Sequence, residues 1–345
     1  MSTSVSTSDR TGAAAGEPVL AIEGLTVSFG GSRGEATVVD GVDWTVHRGE
    51  TLAVVGESGS GKSMTVLAAT GLAPRGARVG GGVRLLGEDF SAMSDGERRN
   101  ARGRSIGFVY QDPMTSRNPV MTVGRQVTEA CEEHLGMSRQ DARARAVELL
   151  ELVGIPSPEQ RVDAYPHRFS GGMRQRVVIA MALATDPVLL IAAEATPALA
   201  VTTQAQIIEL VASLQQRLGT AVVWITHDLG VVAGIADRVA VMYGGRVVEH
   251  GPVDAIFAEP AHPYTRALLA ARPEPGTRAD ELATIPGTPP LPTAMPAGCA
   301  FWPRCPVRGD ARCETEQPPL TEVAPGHSVR TFYRIEPSSP VGSTR

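Results

Sequence analysis

The segment Gly56-Glu57-Ser58-Gly59-Ser60-Gly61-Lys62-Ser63 decides the fold of this 345-residue chain. It fits the pattern G-x-x-x-x-G-K-[ST], in which backbone N–H groups of a glycine-rich loop face phosphate groups. The apolar run at residues 51–55 predicts a buried strand before the loop, and residues 63–72 predict a helix after it. That helix would add unpaired N–H groups and a positive dipole end at the phosphates. Strand, glycine loop and helix together predict ATP or GTP binding.

Lys62 of this segment is the single lysine of the chain. Arginine supplies the other 31 of the 32 basic residues, so position 62 needs a compact ammonium on a flexible stem and not a planar guanidinium. In the loop pattern Lys62 reaches the outer phosphates and the Ser63 hydroxyl binds Mg²⁺. An ordinary Gly/Ser-rich turn is the weaker interpretation, because the isolated lysine and the context of the motif agree. The candidate nucleotide-binding residues here are Gly56, Ser58, Gly59, Ser60, Gly61, Lys62, Ser63 and Met64.

Composition limits the class of protein. A chain of 345 residues with 42% hydrophobic content is long enough for one large α/β domain and a smaller appendage. Its formal net charge of -5 argues against a general nucleic-acid binder. No run approaches the roughly 18 apolar residues of a membrane span, and the Ser/Thr/Gly/Ala-rich residues 1–16 predict a disordered lead and not a signal peptide. We therefore expect a protein that is cytosolic or peripheral on a membrane.

The remaining periodicity predicts a layered α/β fold. Short β-like pieces at residues 17–46 favour an antiparallel edge sheet, and residues 105–110 favour a strand. A helical pattern from about 123 to 153 follows. Continuous apolar runs at 188–192 and 221–226 are typical of parallel strands buried on both faces. Alternation of strands with helices predicts a parallel core sheet, and the proline-rich residues 273–296 predict a linker.

The segment Phe169-Ser-Gly-Gly-Met-Arg-Gln-Arg176 resembles the LSGGQ signature of ABC transporter ATPases, which opens a helix. Gln111 is similar to the Q-loop glutamine of that family, His227 to the switch histidine, and Phe29 to the aromatic residue that stacks on adenine. Taken alone, His227 fits an ordinary strand-end histidine equally well. Five elements in the family's order carry the resemblance. The C-terminal residues 262–269, 285–287 and 298–313 resemble the tail of the peptide/nickel importer subfamily.

The resemblance implies an architecture and a set of partners. The expected fold is an α/β P-loop ABC nucleotide-binding domain with a parallel core sheet, an antiparallel edge sheet, a helical subdomain and a small Cys-containing C-terminal extension. The expected boundaries are 1–16 for the disordered lead, 17–258 for the ABC domain with its helical subdomain at about 114–168, 259–334 for the extension and 335–345 for the tail.

Members of this family pair two ATPase subunits, as homo- or heterodimers, beneath two membrane permeases that an extracytoplasmic substrate-binding protein feeds. This places the chain at the cytoplasmic face of the plasma membrane, with di- or oligopeptides as cargo and nickel as the alternative. Each ATP would lie between the phosphate loop of one subunit and Ser170, Gly171 and Gly172 of the other. Soluble ABC proteins of translation or DNA repair are disfavoured, because they carry paired cassettes or a long coiled-coil insertion.

The chain departs from the family at residues 189–200. The family reads close to LLIADEPTTALD, and this chain reads LLIAAEATPALA. Ala193 replaces the aspartate that anchors Mg²⁺ and Ala200 the D-loop aspartate, whereas Glu194, expected to polarise the attacking water, remains. Ser63 and Gln111 are left as protein ligands of Mg²⁺. We expect nucleotide binding to survive better than hydrolysis.

Two explanations of this departure stay open. The chain is either the degenerate, ATP-gated half of a heterodimer, whose signature completes the partner's competent site, or an ordinary subunit with engineered or degenerative changes.

A separate open question concerns metal binding by Cys299, Cys305 and Cys313, which have the form C-x5-C-x7-C. Family tails often carry a fourth cysteine, but the matching position here is Thr331. The alternatives here are an iron-sulfur cluster on three thiolates, a Zn²⁺ site completed by His327, and no metal.

Overall fold

The computed structural model describes residues 16–31, 34–110, 118–193, 201–272, 284–308 and 310–333. The strands are β1 (Pro18–Gly31), β2 (Gly34–His47), β3 (Thr51–Val55), β4 (Ala77–Leu85), β5 (Glu88–Asp89), β6 (Ile106–Val109), β7 (Leu189–Ala193), β8 (Ala221–Thr226), β9 (Arg238–Tyr243), β10 (Arg246–Pro252), β11 (Leu320–Ala324) and β12 (His327–Arg330). The helices are α1 (Lys62–Ala69), α2 (Asp95–Ser105), α3 (Val123–Leu135), α4 (Arg139–Leu152), α5 (Pro158–Arg161), α6 (Gly171–Ala182), α7 (Val201–Leu218), α8 (Leu229–Ile235), α9 (Val253–Ala258), α10 (Pro263–Ala270) and α11 (Arg312–Thr315).

The larger sheet has the strand order β11-β12-β10-β9-β3-β8-β7-β6. β3, β6, β7, β8 and β9 pair in parallel. Every residue of β3 and of β8 is buried, as expected for strands covered by helices on both faces. The predicted parallel core sheet is confirmed.

The C-terminal extension continues this same sheet. β10 pairs antiparallel with β9 on one side and with β12 on the other, where Glu249 lies opposite Val329. The β11–β12 hairpin therefore adds two strands to the edge of the core sheet. Ordered contact between the extension and the nucleotide-binding part of the chain follows from this continuity.

The smaller sheet is antiparallel, with the order β2-β1-β4-β5. The short β-like pieces expected at residues 17–46 form two long strands, and the first of these, β1, has a shift of register between Ile22 and Leu25. Gly24 supplies a φ of 57° inside this irregularity. The predicted antiparallel edge sheet is confirmed.

The helical pattern predicted from about 123 to 153 forms two helices, α3 and α4. α3 ends at Leu135, and Gly136 follows it in the left-handed conformation with φ 65°, which stops the helix. Ser138 then caps α4 by accepting a hydrogen bond from the Asp141 N–H. Cys131 of α3 is fully buried in the core between these helices and α6, as a core thiol should be.

Several expectations concern residues outside the described ranges. These are the lead at 1–15, residues 273–283 of the predicted linker at 273–296, and the tail at 335–345. Within the described ranges, none of the helices combines the length and apolar character needed to cross a membrane.

Candidate functional site

The loop from Gly56 to Gly61 joins the buried strand β3 to helix α1. Gly61 has φ 101°, and a Cβ at this position would lie 2.8 Å from the Val38 carbonyl oxygen. Only glycine fits there without strain. Gly59, at φ 81°, has no atom within 4 Å of its hypothetical Cβ, so the loop is open on that side. The geometry fits a loop that wraps a phosphate group on its open face.

Lys62 begins α1 and lies inside this loop. Its side chain is buried, with the residue 5% exposed, and its Nζ donates to the carbonyls of Gly56 at 2.7 Å and Glu57 at 2.9 Å. The compact ammonium fits the packed space between these two carbonyls, whereas the larger, planar guanidinium of an arginine would have to displace loop atoms there. The contacts agree with the reason given for the single lysine of the chain.

The other loop candidates surround the N-terminus of α1. Gly61 provides no side-chain cap to that helix, so its first N–H groups receive no side-chain acceptor there. Ser58 and Ser63 are exposed, and Ser60 is buried beside Lys62 Nζ at 3.4 Å. Phe29 and Met64 are half-buried and pack against the same apolar cluster. The structure thus places the predicted nucleotide-binding residues on the loop, at the start of α1 and against the apolar cluster beside them.

The carboxyl ends of three neighbouring strands meet beside the loop. Val55 of β3 lies opposite Thr226 of β8, and Ala193 of β7 lies opposite Ile225. Ala193 therefore ends β7, at the position where the resemblance implies a metal-anchoring aspartate, and its methyl group offers no oxygen ligand. His227 follows β8 directly and is exposed. The predicted Gln111 and Glu194 lie outside the described residues.

The signature residues are on the surface of the chain. Ser170 precedes α6 and caps it, because its Oγ accepts a hydrogen bond from the Met173 N–H at 3.4 Å. Ser170 and Gly171 are exposed, and Gly172 is half-buried. This helix N-terminus is thus accessible to a ligand that another molecule carries.

The metal prediction for the cysteines is not supported. Among the described residues, no group of three His, Cys, Asp or Glu side chains is arranged to hold a metal ion. The Cys305 thiol lies 3.2 Å from the Tyr333 hydroxyl, and burial raises the pKa of the Cys299 and Cys313 thiols. His327, proposed to complete a Zn²⁺ site, instead contacts the buried Glu249 through Nε2 at 2.8 Å. The described residues therefore lend no support to iron-sulfur or Zn²⁺ binding at these cysteines.

Three residues of this region were not among the sequence candidates. Glu57 occupies a variable position of the loop pattern, and Tyr264 and Arg304 served only as marks of the subfamily tail. In the structure both tail residues contact Glu57. The available signal was an arginine beside the cysteines, but nothing in the chain's spacing relates residue 304 to residue 57.

Comparison with known proteins decides the family. The "ABC transporter" model matches residues 39–197, and the "Oligopeptide/dipeptide transporter, C-terminal region" model matches 248–313. The oligopeptide transport ATP-binding protein OppD of Bacillus subtilis is 51% identical over 325 residues, which cover 93% of this chain and 90% of OppD. The chain belongs to the ATP-binding subunits of ABC transporters. The dipeptide transport ATP-binding protein DppD of Escherichia coli is 47% identical over 319 residues, 92% of this chain and 97% of DppD.

Solved ABC cassettes share the fold. The dimeric ATP-binding cassette MJ0796 in a post-hydrolysis state, bound to ADP and Pi, superposes with a TM-score of 0.60 at 26% identity and covers 68% of this chain and 98% of its own. CbiO1 of Clostridium perfringens, part of the complex cbiONQ, gives 0.61 at 28% identity, with 70% and 92% coverage. The expected ABC fold is thereby confirmed.

Proposed function

We propose that this chain is the ATP-binding subunit of an importer of di- or oligopeptides. The observation that carries the proposal is a phosphate-wrapping loop and an exposed signature helix in one cassette, continued by an extension of the oligopeptide/dipeptide type. The names of its relatives mention oligopeptide and dipeptide transport, which favours peptide over the nickel alternative. The chain would work at the cytoplasmic face of the plasma membrane with a second ATPase subunit, two permeases and a substrate-binding protein.

Within that assembly ATP would join two subunits. Phe29, Ser58, Lys62, Ser63 and their loop neighbours would bind the nucleotide on this chain. The exposed Ser170 and Gly171 would face the nucleotide of the partner, with the N–H groups and dipole of α6 directed to its outer phosphate. Closure of the pair would be passed to the permeases, and hydrolysis would reopen it.

We further propose that the chain's own site turns ATP over slowly. Bound Mg²⁺ would neutralise charge on the phosphates and align them, and Ser63 and Gln111 are the protein groups proposed to hold it. Ala193 lacks the carboxylate that would anchor its water shell. Even a correctly placed Glu194 and His227 would then act on misaligned phosphates, at a cost of about 10²-fold in rate.

Single-turnover ATP hydrolysis tests this proposal. The chain is purified with its partner subunit, whose catalytic glutamate has been replaced by glutamine, and is compared with the Ala193→Asp variant. We expect ATP to bind equally to both and cleavage to rise about 10²-fold in the variant. The native chain would then serve as an ATP-gated partner while the other subunit carries out the chemistry.

Near-normal cleavage by the native chain would contradict the impaired-site proposal and leave the transport proposal standing. Absence of ATP binding to the native pair would contradict both. Ala193→Asn is the matched control, because it has the size and shape of the aspartate at the same position but not its negative charge, and we expect it to restore little cleavage.

A further inference from the structure

The phosphate loop is held at Glu57 by two residues of the C-terminal extension. The Arg304 guanidinium donates from Nη1 to Glu57 Oε2 at 2.6 Å and from Nη2 to Glu57 Oε1 at 3.1 Å, a two-pronged ion pair. The Tyr264 hydroxyl accepts a hydrogen bond from the Glu57 N–H at 2.8 Å. Backbone and side chain of one loop residue are thus fixed from outside the loop.

The arginine is built into the extension. Its Nε donates to the Pro286 carbonyl at 2.9 Å, Nη2 to the Ile285 carbonyl at 3.0 Å and Nη1 to the Tyr243 hydroxyl at 3.1 Å. With the two bonds to Glu57, the five contacts match the five N–H groups of a guanidinium. Arg304 is only 8% exposed, so its charge is compensated chiefly by Glu57.

A cluster of aromatic rings supports the pair from beneath. Tyr243, Tyr264 and Phe301 are all fully buried, with ring centroids 4.6 to 5.3 Å apart. The Arg304 guanidinium carbon lies 5.8 Å from the Tyr243 ring centroid. Burial also raises the pKa of the Tyr264 hydroxyl, which therefore stays a neutral partner of the loop. The packed rings consequently hold Arg304 and Tyr264 in place where they contact Glu57.

Glu57 connects this base to the nucleotide-binding lysine. The Glu57 carbonyl accepts from Lys62 Nζ, and the Gly56 carbonyl beside it does the same. Because the Glu57 N–H is bound to Tyr264, its peptide plane cannot rotate freely. The extension therefore holds the peptide plane that carries the Gly56 carbonyl, which is one of the acceptors around the ammonium, and it also binds the side chain of Glu57, whose carbonyl is another.

We infer that Arg304 and Tyr264 are positioning residues for ATP: through Glu57 they hold the phosphate loop in its nucleotide-accepting shape. The inference rests on the proposed ATP binding of this chain. It assigns to the extension a direct part in the nucleotide site, in addition to extending the core sheet.

Mg-ATP affinity in a double-mutant cycle tests the coupling. The full-length chain is compared with Arg304→Gln, Glu57→Gln and the double variant. We expect each single change to weaken binding about tenfold, and the double variant to be no weaker than about twentyfold, because either change alone removes the same ion pair. Tyr264→Phe, which keeps the ring, should weaken binding severalfold. Additive losses approaching a hundredfold, or unchanged affinity in both single variants, would overturn the inference.

Two arginines of the extension serve as controls. Arg312→Gln removes an exposed pair with Asp310 and should leave affinity unchanged. Arg330→Gln removes donors to the Val247 and Pro318 carbonyls and so loosens the extension without touching the loop. If Arg330→Gln weakens ATP binding as much as Arg304→Gln at an equal loss of Tm, the role of Arg304 is only structural and the inference is wrong.

Hydrogen exchange at residues 56–63 separates this inference from the proposed function. Without nucleotide, these amides should exchange faster in Arg304→Gln and Tyr264→Phe than in the native chain, and at native rates in Arg312→Gln. Native exchange rates in the first two variants would refute the positioning role, whatever ATP does. Failure of the native chain to bind Mg-ATP would refute the proposed function and leave the exchange result to decide the positioning role.

Discussion

The Lys62 ammonium is enclosed by the backbone of its own loop. Its Nζ lies between the Gly56 and Glu57 carbonyls in a buried part of the loop. We predict that Lys62→Arg weakens Mg-ATP binding at least about tenfold although the charge is kept, because the larger guanidinium must displace loop atoms at a packed site. Equilibrium binding to the full-length chain measures the effect.

The opposite exchange on the surface provides the control for this prediction. Arg75→Lys changes an exposed residue in the turn after α1 and should leave ATP affinity as it is. Equal affinities for the native chain and Lys62→Arg would show that charge alone matters at position 62, against the reason given for the single lysine.

At the scale of elements, α3 approaches the segment after α5 with no room for a side chain. The Gly124 N–H donates to the Val162 carbonyl at 2.7 Å, and a Cβ on Gly124 would lie 2.7 Å from the same oxygen. We predict that Gly124→Ala lowers the free energy of unfolding by about 1–3 kcal/mol, because the two segments must separate. Thermal or urea unfolding of the apo chain checks the value.

Gly96 occupies the same second helical position in α2, and its hypothetical Cβ meets nothing within 4 Å. Gly96→Ala should therefore stabilise the chain by about 0.4–1 kcal/mol through the unfolded state. Stabilisation by both substitutions would contradict the close approach at Gly124.

Local patterns predicted the elements well where local physics determines them. The runs at 51–55 and 221–226 coincide with β3 and β8, since strands buried on both faces need continuous apolar sequence. The helical pattern predicted from about 123 to 153 contains α3 and α4, and the break at Gly136 between them was not predicted, because a left-handed glycine ends a helix within the surrounding helical periodicity. The pairing of Glu57 with Arg304 was not predictable, since it depends on how the extension packs on the sheet and not on spacing.

At the scale of the whole molecule, the free energy of unfolding depends on pH through His262, which lies where the extension joins the cassette. His262 caps α10 by accepting a hydrogen bond from the Tyr264 N–H at Nδ1, and burial lowers its pKa to about 4, against the opposing effect of Glu249. Between about pH 6.5 and 4, the His262 imidazole is protonated in the unfolded chain and neutral in the folded chain. This histidine's contribution is thus present above pH 6.5, is lost as the pH falls, and stops changing below about pH 4, for a total of about 3 kcal/mol.

We predict that His262→Asn, which keeps a capping acceptor, flattens the decline of unfolding free energy between pH 6.5 and 4. Urea unfolding at several pH values measures the slope. His167→Asn, at an exposed position, should reproduce the native slope. An unchanged slope in His262→Asn would mean that the buried histidine is not the group responsible.

The ion pair between Glu57 and Arg304 also forms late in synthesis, because its two residues are made at different times. The two residues are 247 positions apart, and ribosomes deliver chains from the N-terminus at about 5–20 residues per second. A nascent chain therefore displays its phosphate loop for many seconds before the arginine that fixes it has been made. A chain that stops short of residue 304 lacks this ion pair, so its phosphate loop would be held from the extension at Glu57 only by the hydroxyl of Tyr264.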